Sequence, residues 1–438
     1  MIVVFVVGYL MIALEHPLRI DKAAPALLAG MITWTLLVIG GESVFEITGV
    51  DIHGDSMHYI THSLAEHISE IAKILFFLLG AMTIVELVDA HEGFKVVTDR
   101  ITTDNRVRLI WIISIIAFFF SAALDNLTTS IVMAALLRKL LSKKENLWFF
   151  GGMVVIAANA GGAWSPIGDV TTIMLWIGGQ VTELNIIKAV FVPSVLALLV
   201  PLLVVSIFMK GKIKRPVVLD EAHRNEPHVT SKEQYLIFAL GVLGLLSVPV
   251  FKNFTHLPPF MGMMLSLGIL WVVTEVIHRT KSPEVKNTLS VAAVIRRIDT
   301  PSVLFFLGIL LAVASLQTAG HLGQLAQALD KTFDGNIYII NTLIGLLSAV
   351  VDNVPLVAGA MGMYPMDVYP VDHPFWELLA YCAGTGGSAL IIGSAAGVAI
   401  MGILKIDFLW YMRKMTWLAL LGYFAGIAWY WLEHQFWM

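Results

Sequence analysis

Two segments of this chain read almost alike, SAALDN at residues 121–126 and SAVVDN at residues 348–353. Each segment interrupts an otherwise apolar stretch, 108–140 in the first case and 336–365 in the second. An ionised Asp at the centre of a membrane-spanning helix costs roughly 2.5–3.5 kcal/mol on insertion scales. Because the chain accepts this cost twice, at matching places, the two Asp residues are predicted to serve a function that packing alone does not require.

The composition indicates a membrane protein. Of the 438 residues, 58% are hydrophobic and 14% are charged, whereas a soluble domain carries about 25% charged residues. The net charge of −4 leaves no basic surface for nucleic acid, and the high apolar content excludes disorder. The single cysteine, Cys382, excludes an internal disulfide and a multi-cysteine metal site. A polytopic protein surrounded by membrane lipid remains, and no cofactor is expected.

Membrane spans are predicted from apolar stretches of about 20 residues, the length that a helix needs to cross the hydrocarbon core. Eight stretches meet or approach this length: 1–14, 24–41, 71–90, 186–209, 235–251, 258–278, 301–319 and 412–433. Four others are interrupted, two by the Asp-Asn pairs and two, 147–178 and 376–402, by glycine-rich runs. We predict re-entrant hairpins at the Asp-Asn pairs and broken transmembrane helices at the glycine runs.

The chain repeats itself at an offset of roughly 227 residues. Besides the Asp-Asn segments, Gly161-Gly162 matches Gly386-Gly387, and LFFL at 75–78 matches LFFL at 304–307. Three matches in the same order at a nearly constant offset indicate a duplicated unit. The predicted organisation is a first repeat at 1–209, a cytoplasmic connecting loop at 210–234 and a second repeat at 235–438.

The positions of the cationic residues predict the topology, because Lys and Arg concentrate in cytoplasmic loops. If each Asp-Asn stretch is a hairpin that enters and leaves on one side, all but four of the 28 Lys and Arg residues fall on the cytoplasmic side. Each half then crosses the membrane five times, an odd number, so the second repeat is inserted upside down. The first hairpin opens inward, the second opens outward, and both termini lie on the outer face after ten crossings.

The predicted fold is an all-α polytopic membrane protein with two inverted-topology repeats, each with a re-entrant hairpin and a broken transmembrane helix. Inverted repeats whose broken helices meet near the midplane are typical of secondary transporters. The polar residues at the hairpin tips and helix breaks are the candidate binding residues. They are Asp125, Asn126, Thr128, Thr129, Asn159, Asp169, Thr171 and Thr172 in the first repeat, and Asp352, Asn353, Thr385, Ser388 and Ser394 in the second.

These candidates supply carboxylates, amides and hydroxyls, and no Lys or Arg is expected among them. An oxygen lining of negative sign suits a small hard cation, whereas an anion would favour Arg, Lys or free helix N-termini. Asp169 is expected to cap one helix, and Thr128, Thr129 or Ser130 to cap the helix after the first tip. Ser394 stands where the second repeat would match Asp169, so an asymmetric site is expected. Protons and the cation are predicted to compete for the carboxylates.

The two tip segments, together with MGMY at 361–364 and the segment 159–172, resemble NhaD-type sodium/proton antiporters of the ion-transporter superfamily. The resemblance covers essentially the whole chain in segment order. It implies exchange of cytoplasmic Na⁺ or Li⁺ for external protons across a bacterial inner membrane, by a homodimer with a mobile transport unit. By motif match it places on the ion path Asp125, Asn126, Asn159, Asp169, Thr171, Thr172, Ser348, Asn353 and Ser388, with the metal ion at the first four.

Two other functions are weighed against this one. The nearest rival is a sodium-coupled symporter of a small organic anion. Dicarboxylate carriers of the superfamily have Ser-Asn-Thr at both hairpin tips, whereas this chain has Asp-Asn at both. This difference favours a cation as the transported species. An intramembrane aspartyl protease with Asp125 and Asp352 as its dyad would need a Gly-x-Gly-Asp motif, which neither segment supplies. The chain is predicted to be a secondary transporter and not an enzyme.

Overall fold

The computed structural model describes residues 1–50, 55–98, 100–213, 229–350 and 352–436, so most of the predicted connecting loop, residues 214–228, lies outside the description. Within these ranges the regular structure is helical, apart from one β-bridge between Asn105 and Lys212. Residues 1–213 form α1 (Ile2–Ala13), α2 (Glu15–Leu18), α3 (Ala23–Thr48), α4 (Ser56–Ala90), α5 (Lys95–Thr98), α6 (Arg106–Leu124), α7 (Asn126–Leu140), α8 (Lys144–Ala163), α9 (Val170–Ile177) and α10 (Glu183–Phe208).

The rest of the described chain is also helical. Residues 229–436 form α11 (Ser231–Thr255), α12 (Pro259–His278), α13 (Pro283–Leu289), α14 (Val291–Ile295), α15 (Thr300–Thr318), α16 (His321–Phe333), α17 (Ile337–Leu347), α18 (Asn353–Met363), α19 (Pro374–Gly386), α20 (Ala395–Leu404), α21 (Phe408–Lys414) and α22 (Thr416–Phe436).

Eight helices of the described chain are long and apolar enough to cross a membrane, namely α3, α4, α6, α8, α10, α11, α12 and α15. A ninth span results if α20 and α21, bent by 118° at their junction, are taken together. Two of the predicted spans are not among these helices. Stretch 1–14 forms a helix of only 12 residues. Stretch 412–433 lies largely in α22, whose Trp, Tyr and Glu residues lower its mean hydropathy. The chain is a multi-pass, all-helical membrane protein.

Each Asp-Asn stretch forms two helices that meet at a polar tip. α6 ends and α7 begins at Asp125, and α18 begins directly after Asp352, while α17 ends at Leu347. α6 and α7 lie against each other. Of these two helices, only α6 has the length and composition of a membrane span. The first stretch therefore consists of one long helix, α6, and one shorter helix, α7.

The two glycine-containing stretches form the centre of the molecule. Residues 150–163 of α8 and 375–386 of α19 are unbroken runs of buried residues. α8 ends at Ala163 and α9 begins at Val170, while α19 ends at Gly386 and α20 begins at Ala395. Each stretch therefore provides two helix ends, with unpaired backbone groups, inside the protein.

The glycine pairs allow close packing, and the first pair lies before its helix break. A Cβ at Gly161 would lie 2.0 Å from the carbonyl oxygen of Phe118 in α6, and a Cβ at Gly386 would lie 2.0 Å from the carbonyl oxygen of Gly345 in α17. The break in the first stretch falls beyond the glycines, after Ala163. Gly161 and Gly162 both lie within α8, and their missing side chains let another backbone approach.

Gly161→Ala is expected to destabilise the protein by about 1–3 kcal/mol, because the added methyl group overlaps a backbone carbonyl that cannot turn away. Thermal unfolding of the detergent-purified variant, followed by size-exclusion chromatography, measures the change. Gly268→Ala in α12 is the matched control, since a Cβ there meets no heavy atom within 4 Å. Equal melting temperatures for the two variants would contradict the packing role.

Helix pairs in the two halves of the chain match one another. α6 packs on α8 as α17 packs on α19, and α3 packs on α15 as α12 packs on α4. Likewise, α1 contacts α3 as α11 contacts α12, and α7 contacts α20 as α18 contacts α9. In the last case, each helix after a tip packs on the helix after the break in the other half. The region between tips and breaks is therefore built from both halves of the chain.

Candidate functional site

Asp125 forms the tip between α6 and α7, with φ 87° and ψ 160°. A residue other than glycine in this region costs about 1–3 kcal/mol. One carboxylate oxygen, Oδ1, accepts a hydrogen bond from the Thr128 backbone N–H at 2.8 Å, and Oδ2 accepts one from the Thr128 hydroxyl at 2.8 Å. The expectation that Thr128, Thr129 or Ser130 caps α7 is therefore wrong, because the backbone at Asp125 places its own carboxylate over the first turn.

Three hydroxyl oxygens near the tips and breaks are buried without a hydrogen-bond partner among the described residues. They belong to Thr129 and Ser130 in α7 and to Thr171 in α9. A buried hydroxyl that lacks a partner carries a cost of about 1–3 kcal/mol, so unsatisfied groups of this kind need an explanation. Oxygen atoms left in this way are available as ligands for a cation.

Asp169 lies at the start of α9 and caps it, as predicted, by accepting a hydrogen bond from the Thr171 backbone N–H at 3.2 Å. Its side chain is buried. The amide of Asn126, beside the first tip, donates to Asp169 Oδ2 at 3.0 Å, and the amide of Asn353, beside the second tip, donates to the same oxygen at 3.3 Å. One buried carboxylate is thus contacted by the tips of both Asp-Asn stretches.

Asn159 in α8 joins the first break to the second. Its Oδ1 accepts a hydrogen bond from Asn126 at 3.2 Å, and its Nδ2 donates to Ser388 Oγ and to Ser394 Oγ, each at 2.9 Å. Ser394 also caps α20 by accepting from the Gly397 backbone N–H at 3.1 Å. The two helix breaks and both tips therefore belong to one hydrogen-bonded cluster.

Asp352 differs from its sequence counterpart Asp125, because it forms an ion pair. Its Oδ2 lies 2.9 Å from Lys22 Nζ, and its Oδ1 accepts from the Val354 backbone N–H at 3.2 Å. Burial acts to lower the pKa of Lys22, but the neighbouring Asp352 carboxylate outweighs burial, and the pKa is raised. The expectation of a site without Lys or Arg is wrong, because Lys22 reaches the second tip from a distant part of the sequence.

Three predicted site residues donate hydrogen bonds from their hydroxyl groups to backbone carbonyl oxygens. Thr172 donates to the carbonyl of Ala163 at 3.3 Å, Ser348 to that of Ala383 at 2.9 Å, and Thr385 to that of Tyr381 at 2.6 Å. All three are buried. Ser121 makes the contact that corresponds to Ser348, with the carbonyl of Ala158 at 2.5 Å. The hydroxyls of Thr172, Ser348 and Ser121 therefore join separate segments, whereas that of Thr385 bonds within α19.

Two residues of the site are not identified by the sequence reasoning. Lys22 is one, and Gly384 is the other: a Cβ at Gly384 would lie 3.6 Å from Asp169 Oδ2. Gly384 stands at the repeat offset from Asn159, so an alignment of the repeats could have found it. No local pattern marks Lys22, which resembles any cationic residue that precedes a span.

A cavity of about 400 Å³ lies beside the Lys22 side chain that pairs with Asp352. Its lining includes Leu127 of α7, Lys22 before α3, Asp299 before α15 and Ala395 of α20. Leu127 follows the tip residues Asp125 and Asn126, and Ala395 follows Ser394 directly. The cavity is therefore lined by Lys22 and by residues that neighbour the first tip and the second break along the chain.

The cluster can coordinate a small cation and can hold protons. Asp125 and Asp352 are both close enough to Asp169 to interact with it electrostatically. Asp125 and Asp169 have no cationic partner within ion-pair distance among the described residues, whereas Asp352 has Lys22. Carboxylate, amide and hydroxyl oxygens are the ligands that hard cations prefer. Asp125 and Asp169 are therefore the two carboxylates of the described cluster that lack a fixed cationic partner.

Comparison with known proteins agrees with this arrangement. The profile of the citrate transporter family (CitMHS) matches residues 9–384. Sodium/proton antiporter 1 of Arabidopsis thaliana is 48% identical over 437 residues, which are 99% of this chain and 72% of the relative. Sodium/proton antiporter 2 of the same plant is 44% identical over 440 residues, with 100% of both chains covered.

A bacterial relative is similar over a comparable length. The Na⁺/H⁺ antiporter NhaD of Vibrio cholerae serotype O1 is 32% identical over 453 residues, which are 98% of this chain and 90% of the relative. The resemblance to NhaD-type antiporters inferred from the tip and break segments is thereby confirmed. On these matches, the chain belongs to the citrate transporter family, together with the NhaD-type and plant sodium/proton antiporters, and is a membrane transporter and not an enzyme.

Proposed function

We propose that this protein exchanges Na⁺ for H⁺, with both ions using the carboxylates of Asp169 and Asp125. The observation that carries the proposal is the contact of both tip amides, Asn126 and Asn353, with the single buried carboxylate of Asp169. A buried carboxylate requires a compensating charge or a proton. The names of the curated relatives support sodium and protons as the two ions.

The proposed exchange is a competition at one site. With a proton bound, the Asp169 carboxyl is neutral and presents no charge to a metal ion. With the proton released, Asp169 and Asp125 attract a small cation, and the hydroxyl oxygens of Thr129, Ser130 and Thr171 are available to complete its ligands. Li⁺ is proposed as an alternative cargo because it is also a small, hard cation. Inward proton movement would then drive Na⁺ out of the cytoplasm.

The proposed scaffold has two inverted repeats, two opposed re-entrant hairpins and ten crossings, with both termini outside. The matched helix pairs support it, since exchange of the two halves converts α6–α8 into α17–α19 and α3–α15 into α12–α4. The distribution of Lys and Arg supports the orientation. A homodimer in a bacterial inner membrane is proposed from the resemblance to NhaD-type proteins.

A sodium-coupled symporter of a small organic anion is the second candidate, because the family profile is described as a citrate transporter. An anion would need a cationic or strongly donating site. Within the described part of the site, the cationic side chain is that of Lys22, and it is already paired with Asp352. The geometry therefore favours the antiporter.

The test is ion exchange by the purified protein in proteoliposomes that contain a pH-sensitive dye. Addition of Na⁺ or Li⁺ is expected to dissipate an imposed pH gradient, whereas addition of K⁺ at equal ionic strength is not. Radioactive citrate with and without Na⁺ tests the alternative in the same vesicles. Citrate uptake that requires Na⁺ but no pH gradient, with no Na⁺-driven proton movement, would replace the antiporter by the symporter.

The apparent KM for Na⁺ is expected to increase as the pH falls, because protonation removes the negative charge that binds the metal ion. Competition with one proton gives an increase of up to about tenfold for each pH unit. Initial rates of Na⁺-dependent proton movement across a series of pH values, without a membrane potential, measure this relationship. An apparent KM that stays constant across the series would contradict competition at a shared site.

A further inference from the structure

Lys22 contributes the one cationic side chain of the described site, and it does so from a fixed position. It directly precedes α3. Its Nζ lies 2.9 Å from Asp352 Oδ2 and 4.3 Å from the centre of the Phe305 ring in α15, and Phe305 is fully buried. The ion pair and the cation–π contact hold the ammonium group from two sides. Lys22 is therefore positioned by the packing of α3 against α15.

The pair lies next to the exchange site. Asp352 precedes Asn353, whose amide lies 3.3 Å from Asp169 Oδ2, and Asp352 and Asp169 interact electrostatically. Lys22 also lines the 400 Å³ cavity that reaches Leu127 and Ala395. The described lining of this cavity contains three acidic residues, Glu15, Asp21 and Asp299, and the single cation of Lys22. A cation that enters from the cavity therefore meets the Lys22–Asp352 pair near the carboxylate to which it binds.

The two tips carry the same Asp-Asn pair but different charges. Asp125 accepts hydrogen bonds from neutral donors, the backbone N–H and the hydroxyl of Thr128, whereas Asp352 is neutralised by Lys22. If both tips bore an uncompensated carboxylate, three negative charges would surround one small cation, and like charges at this distance strongly oppose one another. An ammonium group fixed at one tip removes one of those charges permanently.

We propose that Lys22 is a specificity-determining residue: a tethered cation that occupies Asp352, so that transported Na⁺ and H⁺ exchange only at Asp125 and Asp169. The assignment rests on the proposed antiport function. It predicts that the net charge of the pair, and not its mere presence, sets the affinity for Na⁺. Loss of the ammonium group leaves an extra negative charge beside the path, and loss of the carboxylate leaves an extra positive one.

The two single substitutions are therefore expected to act in opposite directions. In proteoliposomes at alkaline pH, Lys22→Gln lowers the apparent KM for Na⁺ by about tenfold, and Asp352→Asn raises it by about tenfold, as expected for one unpaired charge near the site. The double variant Lys22→Gln/Asp352→Asn, which has no unpaired charge, returns to within about threefold of the wild-type KM. Thermal unfolding of each variant is measured alongside.

Several outcomes would overturn the assignment. A purely structural ion pair would lower stability in both single variants and would move the apparent KM in the same direction, or not at all. If Asp352 itself were a ligand of Na⁺, the double variant would show no saturable exchange. The measurement on the double variant remains decisive even if a single variant does not fold. Wild-type vesicles that show no Na⁺/H⁺ exchange would instead refute the proposed function, so the two failures are distinguishable.

Discussion

Asp169→Asn is expected to abolish Na⁺/H⁺ exchange while leaving the fold intact. Asn retains an oxygen that can accept the hydrogen bond from the Thr171 backbone N–H, so the cap on α9 is preserved. The substitution removes the negative charge, and an NH₂ group can then face the amide donors of Asn126 and Asn353. Loss of roughly 3 kcal/mol of cation binding corresponds to about a 100-fold lower affinity for Na⁺.

Two measurements on purified protein test this expectation. Proteoliposomes report the exchange rate, and equilibrium binding of radioactive Na⁺ in detergent reports the affinity without transport. Asp407→Asn is the matched control, because Asp407 also caps a helix, α21, by accepting from the Trp410 backbone N–H at 2.8 Å, and it lies at the surface. Wild-type exchange by Asp169→Asn would remove Asp169 from the mechanism, and loss of exchange in Asp407→Asn would indicate a general defect of folding.

Asp125→Asn is expected to have the second largest effect, again a loss of exchange in a folded protein. Asn tolerates positive φ better than most residues and can accept the hydrogen bond from Thr128, so the tip between α6 and α7 is maintained. What is lost is the second carboxylate without a cationic partner in the described site. The site then has one negative charge fewer to bind the metal ion and one proton-binding group fewer to exchange for it.

The same assays apply to Asp125, with a control at another Asp that has positive φ. Asp334 follows α16 with φ 51°, so Asp334→Asn repeats the change at another Asp with positive φ. We expect wild-type exchange from Asp334→Asn and exchange at the level of empty liposomes from Asp125→Asn. Substantial exchange by Asp125→Asn would mean that Na⁺ and H⁺ exchange at Asp169 without Asp125.

The internal repeat allows the site to be predicted from the sequence to a large extent. Asp125, Asn126, Asp169 and Asn353 are separated widely along the chain, yet the matched segments predict that they meet, and their side chains do contact one another or interact electrostatically. The cap at Asp169 follows from local chemistry, since Pro166 prevents helix continuation and Asp169 precedes a helix-forming segment.

Other features depend on contacts that no local pattern contains. Lys22 and Asp352 are separated by 330 residues, and they meet only because α3 packs on α15. The cap on α7 is mispredicted because the sequence offers Thr128, Thr129 and Ser130 as well as Asp125, and only the backbone conformation at Asp125 selects among them. The role of Gly161 is likewise visible only once α6 lies against α8.

The contacts of Gly161 and Gly386 also limit how the protein can move. At these two points the backbone of one helix touches the backbone of its neighbour, with no flexible side chain between them that could yield. Sliding of α6 along α8, or of α17 along α19, would drive carbonyl groups into each other. We therefore expect alternating exposure of the ions to come from displacement of these paired helices as rigid units.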